Sequence, residues 1–195
     1  METATYHCEE HSWKTGLRCA FKAKLTRADG KRVCKLHKTI PKTFLNRMKD
    51  LKNELEYRMD WHEYFMSVAL LVSLRSPSFK LKVGSVIVKD NRVISSGYNG
   101  YPTGAPHESI YRDNHEINTI HSEQNSISDS AKRGVSIDNG TIYITHFPCI
   151  NCCKYIISSG IRTVIYLEDY NNDILVNDLF RQANVIVYRI DQLVY

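Results

Sequence analysis

Four side chains in two short fragments have the types and spacing for metal-assisted proton chemistry. They are His121 and Glu123 of His121-Ser122-Glu123, and Cys149 and Cys152 of Pro148-Cys149-Ile150-Asn151-Cys152. One imidazole and two thiolates make three ligands for Zn2+, leaving the fourth tetrahedral position for water. That open position distinguishes a catalytic zinc from a structural one. A carboxylate two residues from a ligand stands beside the metal without joining it, where it can relay the water's proton. Taken alone, Cys-x-x-Cys serves structural zinc and redox pairs as readily. The preceding Pro148 and the His-x-Glu 28 positions upstream favour the catalytic reading. Cys153 reads as a small buried residue rather than a ligand.

The elements that must position these residues follow from periodicity. Apolar residues near helical spacing run through 41–58, with Pro41 suited to a first helical position, and again through 59–74, ending before Ser76-Pro77. Val83–Val88 and Val93–Ser96 read as strands joined at Asp90-Asn91, a hairpin. Then come a helix over 119–132 stopped by Gly134, a strand over 141–145, and a helix over 149–159 closed by Gly160. A strand over 163–166, a helix over 174–182 and a strand over 185–188 complete the pattern. Both chemical fragments therefore open helices, whose positive ends favour thiolates. Alternating strands and helices predict an α/β layered domain. No internal repeat or low-complexity segment interrupts it.

Charge divides the chain. Residues 1–50 hold twelve Lys and Arg against five Asp and Glu, whereas the rest holds 14 against 16. The basic character thus belongs to an N-terminal module over 1–40, followed by a helical connector over 41–58 and the catalytic domain over 59–195. The module is too poor in Val, Ile and Leu to close a core unaided. Cys8, Cys19, Cys34 and His37 could staple it around a second, structural Zn2+, with His7 or His11 able to replace one ligand; free thiols on an arm are the plainer alternative. Its charge permits nucleic-acid contact through phosphates, although a solvated module that docks on the acidic domain or on a neighbouring subunit is the reading preferred. No run of 18 apolar residues predicts a membrane span, and the acidic start at Met1–Glu10 is unlike a secretory signal. A cytoplasmic protein is the expectation, with the six cysteines acting as ligands or free thiols.

The arrangement H-x-E…P-C-x-x-C is the known signature of zinc nucleobase deaminases. Three fragments extend the match: Gly97-Tyr98-Asn99-Gly100-Tyr101-Pro102-Thr103-Gly104, His121-Ser122-Glu123-Gln124-Asn125-Ser126-Ile127, and Thr145-His146-Phe147-Pro148-Cys149-Ile150-Asn151-Cys152. In this order, over roughly 59–190, the chain resembles the deoxycytidylate (dCMP) deaminases. The resemblance implies a cytidine-deaminase-like three-layer domain with a central five-stranded mixed sheet. It implies hydrolysis of dCMP to dUMP and ammonia, with Glu123 moving the protons.

By the same resemblance Asn99 contacts the sugar or base and Tyr170 holds the nucleotide, although Asn99 could instead support its turn and Tyr170 could be an ordinary loop residue. A 5′-phosphate needs cations, and Lys80, Lys82 and Arg112 lie in predicted loops near the motifs, where solvation alone would also explain them. Relatives are commonly hexamers activated by dCTP and inhibited by dTTP, so Gly97, Tyr98 and Gly100 would lie near an effector site, with Mg2+ accompanying a triphosphate. One feature departs from some relatives: the segment 105–120 has no Cys, only His107 and His115, so a zinc bound there is not expected.

Two other functions compete. One is a polynucleotide cytosine deaminase gripping its substrate with the basic module; the other is a nucleic-acid-binding zinc protein with an idle deaminase scaffold. Glu123 argues against the scaffold, and the Gly-Tyr-Asn-Gly run argues for a free nucleotide. The N-terminal ligand set predicts two zinc ions per chain by elemental analysis, falling to one in Cys34→Ser. A single zinc that disappears when His121 is replaced would remove the second site.

Overall fold

The computed structural model describes residues 25–26, 32–33, 43–113, 115–170 and 173–193. The chain divides into two units, Met1–Arg58 and Met59–Tyr195. In the first, β1 (Leu25–Thr26) pairs antiparallel with β2 (Arg32–Val33). Helix α1 (Phe44–Glu54) starts where the Thr43 hydroxyl accepts the Asn46 N–H at 3.2 Å, which makes it shorter than the 41–58 expected from apolar spacing. Cys8, Cys19, Cys34 and His37 lie outside the described residues.

The second unit opens with α2 (Trp61–Ser73). Asp60 caps it by accepting the Glu63 N–H at 2.8 Å, and Glu63 accepts the Asp60 N–H in return at 3.3 Å. Strands β3 (Gly84–Lys89) and β4 (Arg92–Tyr98) follow, joined by Asp90 and Asn91 at φ 50° and 54°. Two consecutive positive φ angles are what a tight hairpin turn needs, and Asp and Asn tolerate them. A small hairpin, β5 (Tyr111–Arg112) and β6 (His115–Glu116), leads to α3 (Ser122–Arg133). Then come β7 (Thr141–His146), α4 (Ile150–Ser158), β8 (Thr163–Glu168), α5 (Leu175–Gln182), β9 (Ile186–Arg189) and a 3-10 turn over Ile190–Gln192.

The main sheet has the order β4-β3-β7-β8-β9. Its first three strands pair antiparallel, while α4 and α5 return the chain so that β7, β8 and β9 run parallel. It is the five-stranded mixed sheet that the motifs implied.

Strand alternation gives each face its own core. Val86, Val88, Tyr143 and Ile165 pack with Phe65, Met66 and Ala69 of α2. Ile87, Ile142, Ile144 and Val164 point the other way, onto Ile156 of α4 and Val176 and Phe180 of α5. Fully burying a Val, Ile, Phe or Met side chain contributes about 1.5–3 kcal/mol, and the sheet is the middle layer between α2 and helices α3, α4 and α5.

Helix α3 seats differently, on hydroxyls. Ser122, Ser126 and Ser130 are all buried and, four apart, share one face. Ser85 on β3 donates to Ser122 O at 2.8 Å and lies 3.0 Å from Ser126 Oγ; Ser95 on β4 donates to Ser126 O at 2.7 Å. Small side chains let the helix come so near that a methyl group at Gly97 would overlap Ser122 O and stand 2.5 Å from Ser126 N. The helix expected from residue 119 begins at Ser122. Gly100 and Ile120 exchange backbone hydrogen bonds at 3.1 and 2.9 Å, which holds the preceding residues extended.

Gly97→Ala is therefore expected to push α3 away from β4 and cost at least about 1–3 kcal/mol, as overpacking does. Chemical denaturation of the variant beside wild type measures it. Equal stability of Gly97→Ala and wild type would contradict this close seating.

Candidate active site

The starts of α3 and α4 converge. His121 is the residue before α3, its N–H donating to Gln124 Oε1 at 3.1 Å, and Glu123 lies in the helix's first turn. Cys149 takes the same position before α4, with its carbonyl accepting the Cys153 N–H at 2.8 Å. His121 Nδ1 lies 3.5 Å from Cys149 Sγ and 3.4 Å from Cys152 Sγ, and all three donor atoms fall within 4.8 Å of one another. A tetrahedral zinc with bonds of about 2.0–2.1 Å to nitrogen and 2.3 Å to sulfur places those atoms roughly 3.6 Å apart. The donor set fits zinc in both chemistry and spacing.

Electrostatics agree. Cys149 is acidified to about 3, foremost by its hydrogen bond with Cys152 and also by one with His121. The Cys152 thiol is pushed up by that same bond and then by burial, and His121 is raised, chiefly by its hydrogen bond with Cys149. The Cys149 thiolate at the positive end of a helix is a ready ligand for a cation, while the protons favoured on His121 and Cys152 must leave as a metal binds. Cys153 stays out of it: fully buried, with its thiol turned to Val176 O at 3.8 Å.

Glu123 is also buried, and its Oε2 accepts the Ser122 hydroxyl at 2.9 Å. Burial is the main cause of its raised pKa, so the carboxyl is poised to gain and lose a proton rather than remain permanently charged.

A cavity of about 210 Å3 opens on these residues. Among the positions singled out in the sequence, Lys80, Asn99, His121, Glu123, Cys149 and Tyr170 line it. Lys82 and Arg112 are exposed and do not line it. Gly97 and Gly100 serve the seat of α3 instead, and Tyr98 O accepts the Asn125 side-chain amide at 2.9 Å. The Asn99 side chain binds its own loop: Oδ1 accepts the Val83 N–H at 2.8 Å, and Nδ2 donates to Leu81 O at 2.9 Å. One amide hydrogen and one lone pair remain for anything bound in the cavity.

Several lining residues were not legible in the sequence. Tyr111 and Glu116 come from the small hairpin, where Glu116 Oε1 accepts the N–H groups of Ile110 and Asn118 at 3.1 and 3.0 Å. Ser78, Thr119, His146 and Phe147 are among the other lining residues. Only His146 and Phe147 carried a signal, their place beside Pro148.

With known proteins the agreement is broad. The sequence pattern of the cytidine and deoxycytidylate deaminase zinc-binding region matches residues 59–168. ComE operon protein 2 of Bacillus subtilis is 44% identical over 138 residues, 69% of this chain and 73% of that protein. The deoxycytidylate deaminase of Schizosaccharomyces pombe is 34% identical over 148 residues, 70% of this chain and 46% of the yeast protein. The crystal structure of the dCMP deaminase from cyanophage S-TIM5 in complex with dCMP and dUMP superposes with a TM-score of 0.62. It is 30% identical, with 69% of this chain and 99% of the phage chain covered.

Cys152→Ser is expected to lower zinc affinity by an order of magnitude or more, read by chelator competition. Cys153→Ala should keep the metal. Zinc retained in the first variant and lost in the second would reassign the ligands.

Proposed function

The chain belongs to the cytidine and deoxycytidylate deaminase family, and we propose that it hydrolyses dCMP to dUMP and ammonia. The observation that carries this reading is the buried Glu123 carboxyl beside the His121, Cys149 and Cys152 donor set, with Glu123, His121 and Cys149 lining one cavity. His121, Cys149 and Cys152 would hold a zinc ion, and bound there it would supply the Lewis acidity for a water nucleophile near neutral pH. Glu123 manages the protons. It accepts one as water attacks C4 of the pyrimidine and passes it to ring N3. It then carries the second to the 4-amino group, which leaves as ammonia. A dry carboxyl with a raised pKa holds a proton more readily than an exposed one, which suits a group that must take a proton and hand it on.

The nucleotide end of the reading rests on the cavity's remaining lining. Lys80, whose ammonium sits 5.4 Å from the Tyr111 ring centre, offers a cation for the 5′-phosphate. Asn99 offers its spare amide hydrogen to sugar or base, and Tyr170, just past β8, offers a ring and a hydroxyl. The crystallised phage relative with dCMP and dUMP supports the same substrate. Activation by dCTP with Mg2+, inhibition by dTTP and a homohexamer belong to this proposal through the family resemblance, with the Gly97–Gly104 run near the effector site. A cytoplasmic location belongs to it through the sequence's lack of a secretory signal or apolar span. Among the described residues, no helix is long and apolar enough to cross a membrane.

Ammonia release should be fastest on dCMP within a panel that includes CMP, dCTP, deoxycytidine and single-stranded DNA. Glu123→Gln should keep its zinc and lose about 100- to 10,000-fold in kcat, the usual share of a general acid–base. Preference for the polymer would replace free nucleotide by polynucleotide as substrate, and an unimpaired Glu123→Gln would overturn the mechanism.

A further inference from the structure

His146 ends β7, three residues before Cys149, and lines the same cavity as Glu123. Its Nδ1 lies 3.0 Å from the hydroxyl of Thr145. That hydroxyl is buried, with Thr145 only 1% exposed, and it already accepts the N–H of Gly84 at 3.1 Å. A buried O–H needs an acceptor as well as a donor. Gly84 N, which can only donate, gives it none. Nδ1 of His146 remains, so the Thr145 O–H donates to Nδ1 and the ring proton sits on Nε2. Burial also lowers the imidazole's pKa against the opposing pull of Glu168, which favours the neutral ring.

Building on the proposed deaminase reading, we propose that His146 is a substrate-binding residue, a neutral Nε2–H donor to an acceptor oxygen of the bound nucleotide. Its position three residues from a metal ligand favours the end where the pyrimidine ring reacts, and the carbonyl O2 of the base is the acceptor of fitting chemistry there. A phosphate oxygen is the other source of the same chemistry. Being uncharged, the donor orients its acceptor without adding a cation beside the Cys/His cluster. Thr145 then has a positioning role: it fixes the tautomer, while its bond to Gly84 ties β7 to β3.

Two measurements on the full-length, zinc-loaded enzyme test this. Long-range proton–nitrogen NMR of histidine-labelled protein should show His146 neutral with its proton on Nε2; a proton on Nδ1 overturns the proposal. In steady-state kinetics, His146→Phe should raise KM about tenfold, a neutral hydrogen bond's worth, with zinc content kept and kcat within about threefold. His146→Gln, whose amide can still donate, should recover part of that loss. An equal rise with deoxycytidine and dCMP assigns the base carbonyl, and a rise confined to dCMP assigns the phosphate. An unchanged KM in His146→Phe, while wild type turns over dCMP, defeats this inference alone. A wild type inert toward dCMP defeats the functional reading beneath it.

Discussion

The site depends on how closely α3 can lie against β3 and β4. Two helix starts have to meet within a few ångströms for His121, Cys149 and Cys152 to share one ion. Helix α4 is placed by its apolar face, through Cys153 and Ile156 in the core over the parallel strands. Helix α3 has no comparable face and is placed by hydroxyls, by the missing side chain of Gly97 and by the backbone pair Gly100–Ile120. Ordinary apolar packing tolerates small shifts. A hydrogen-bonded seam with no room for a methyl group does not, since each buried hydroxyl left unpaired would cost roughly 1–3 kcal/mol. The Gly-Tyr-Asn-Gly run is thus first a seat for the catalytic helix, whatever nucleotide contacts it also makes.

The same geometry sets the electrostatics. Bringing two helix N-termini together collects positive backbone charge where two thiols and an imidazole meet, and the thiol nearest the rim ionises most readily. Glu123, one turn inside, is dry enough for its carboxyl to be raised. A cation-seeking cluster and a proton-holding acid beside it are complementary needs, met by one short stretch of helix. Thr145 and His146 extend that order to the opposite wall, on the strand that leads into the cysteine loop.

Legibility differed along the chain for physical reasons. The main-sheet strands and the helices of residues 59–193 could be read from local periodicity and stop signals, and the β3–β4 turn because Asp90-Asn91 accept positive φ. The start of α3 was misplaced by three residues: extended backbone at Ile120 is imposed by Gly100, twenty positions away, which no local pattern reveals. The β5–β6 hairpin was invisible, since two-residue strands in a polar stretch carry no periodicity, yet it brings Tyr111 and Glu116 to the cavity. Lys80 and Lys82 looked alike in sequence, and only Lys80 reaches the cavity wall.

Sequence by itself determined the candidate zinc-ligand set and the proposed proton carrier of this protein. Ligand type, Cys-x-x-Cys at a helix start and His-x-Glu at another are local facts, carried by neighbouring residues. It also determined the layered α/β order, because strand and helix periods are local too. Tertiary structure alone decided that the Asn99 side chain ties down its own loop, that Gly97 admits α3 to the sheet, and that Gly84 donates to the buried Thr145 hydroxyl that meets Nδ1 of His146. Those properties rest on groups far apart in the chain, and hydrogen-bond satisfaction in a buried site can be judged only when every partner is in place.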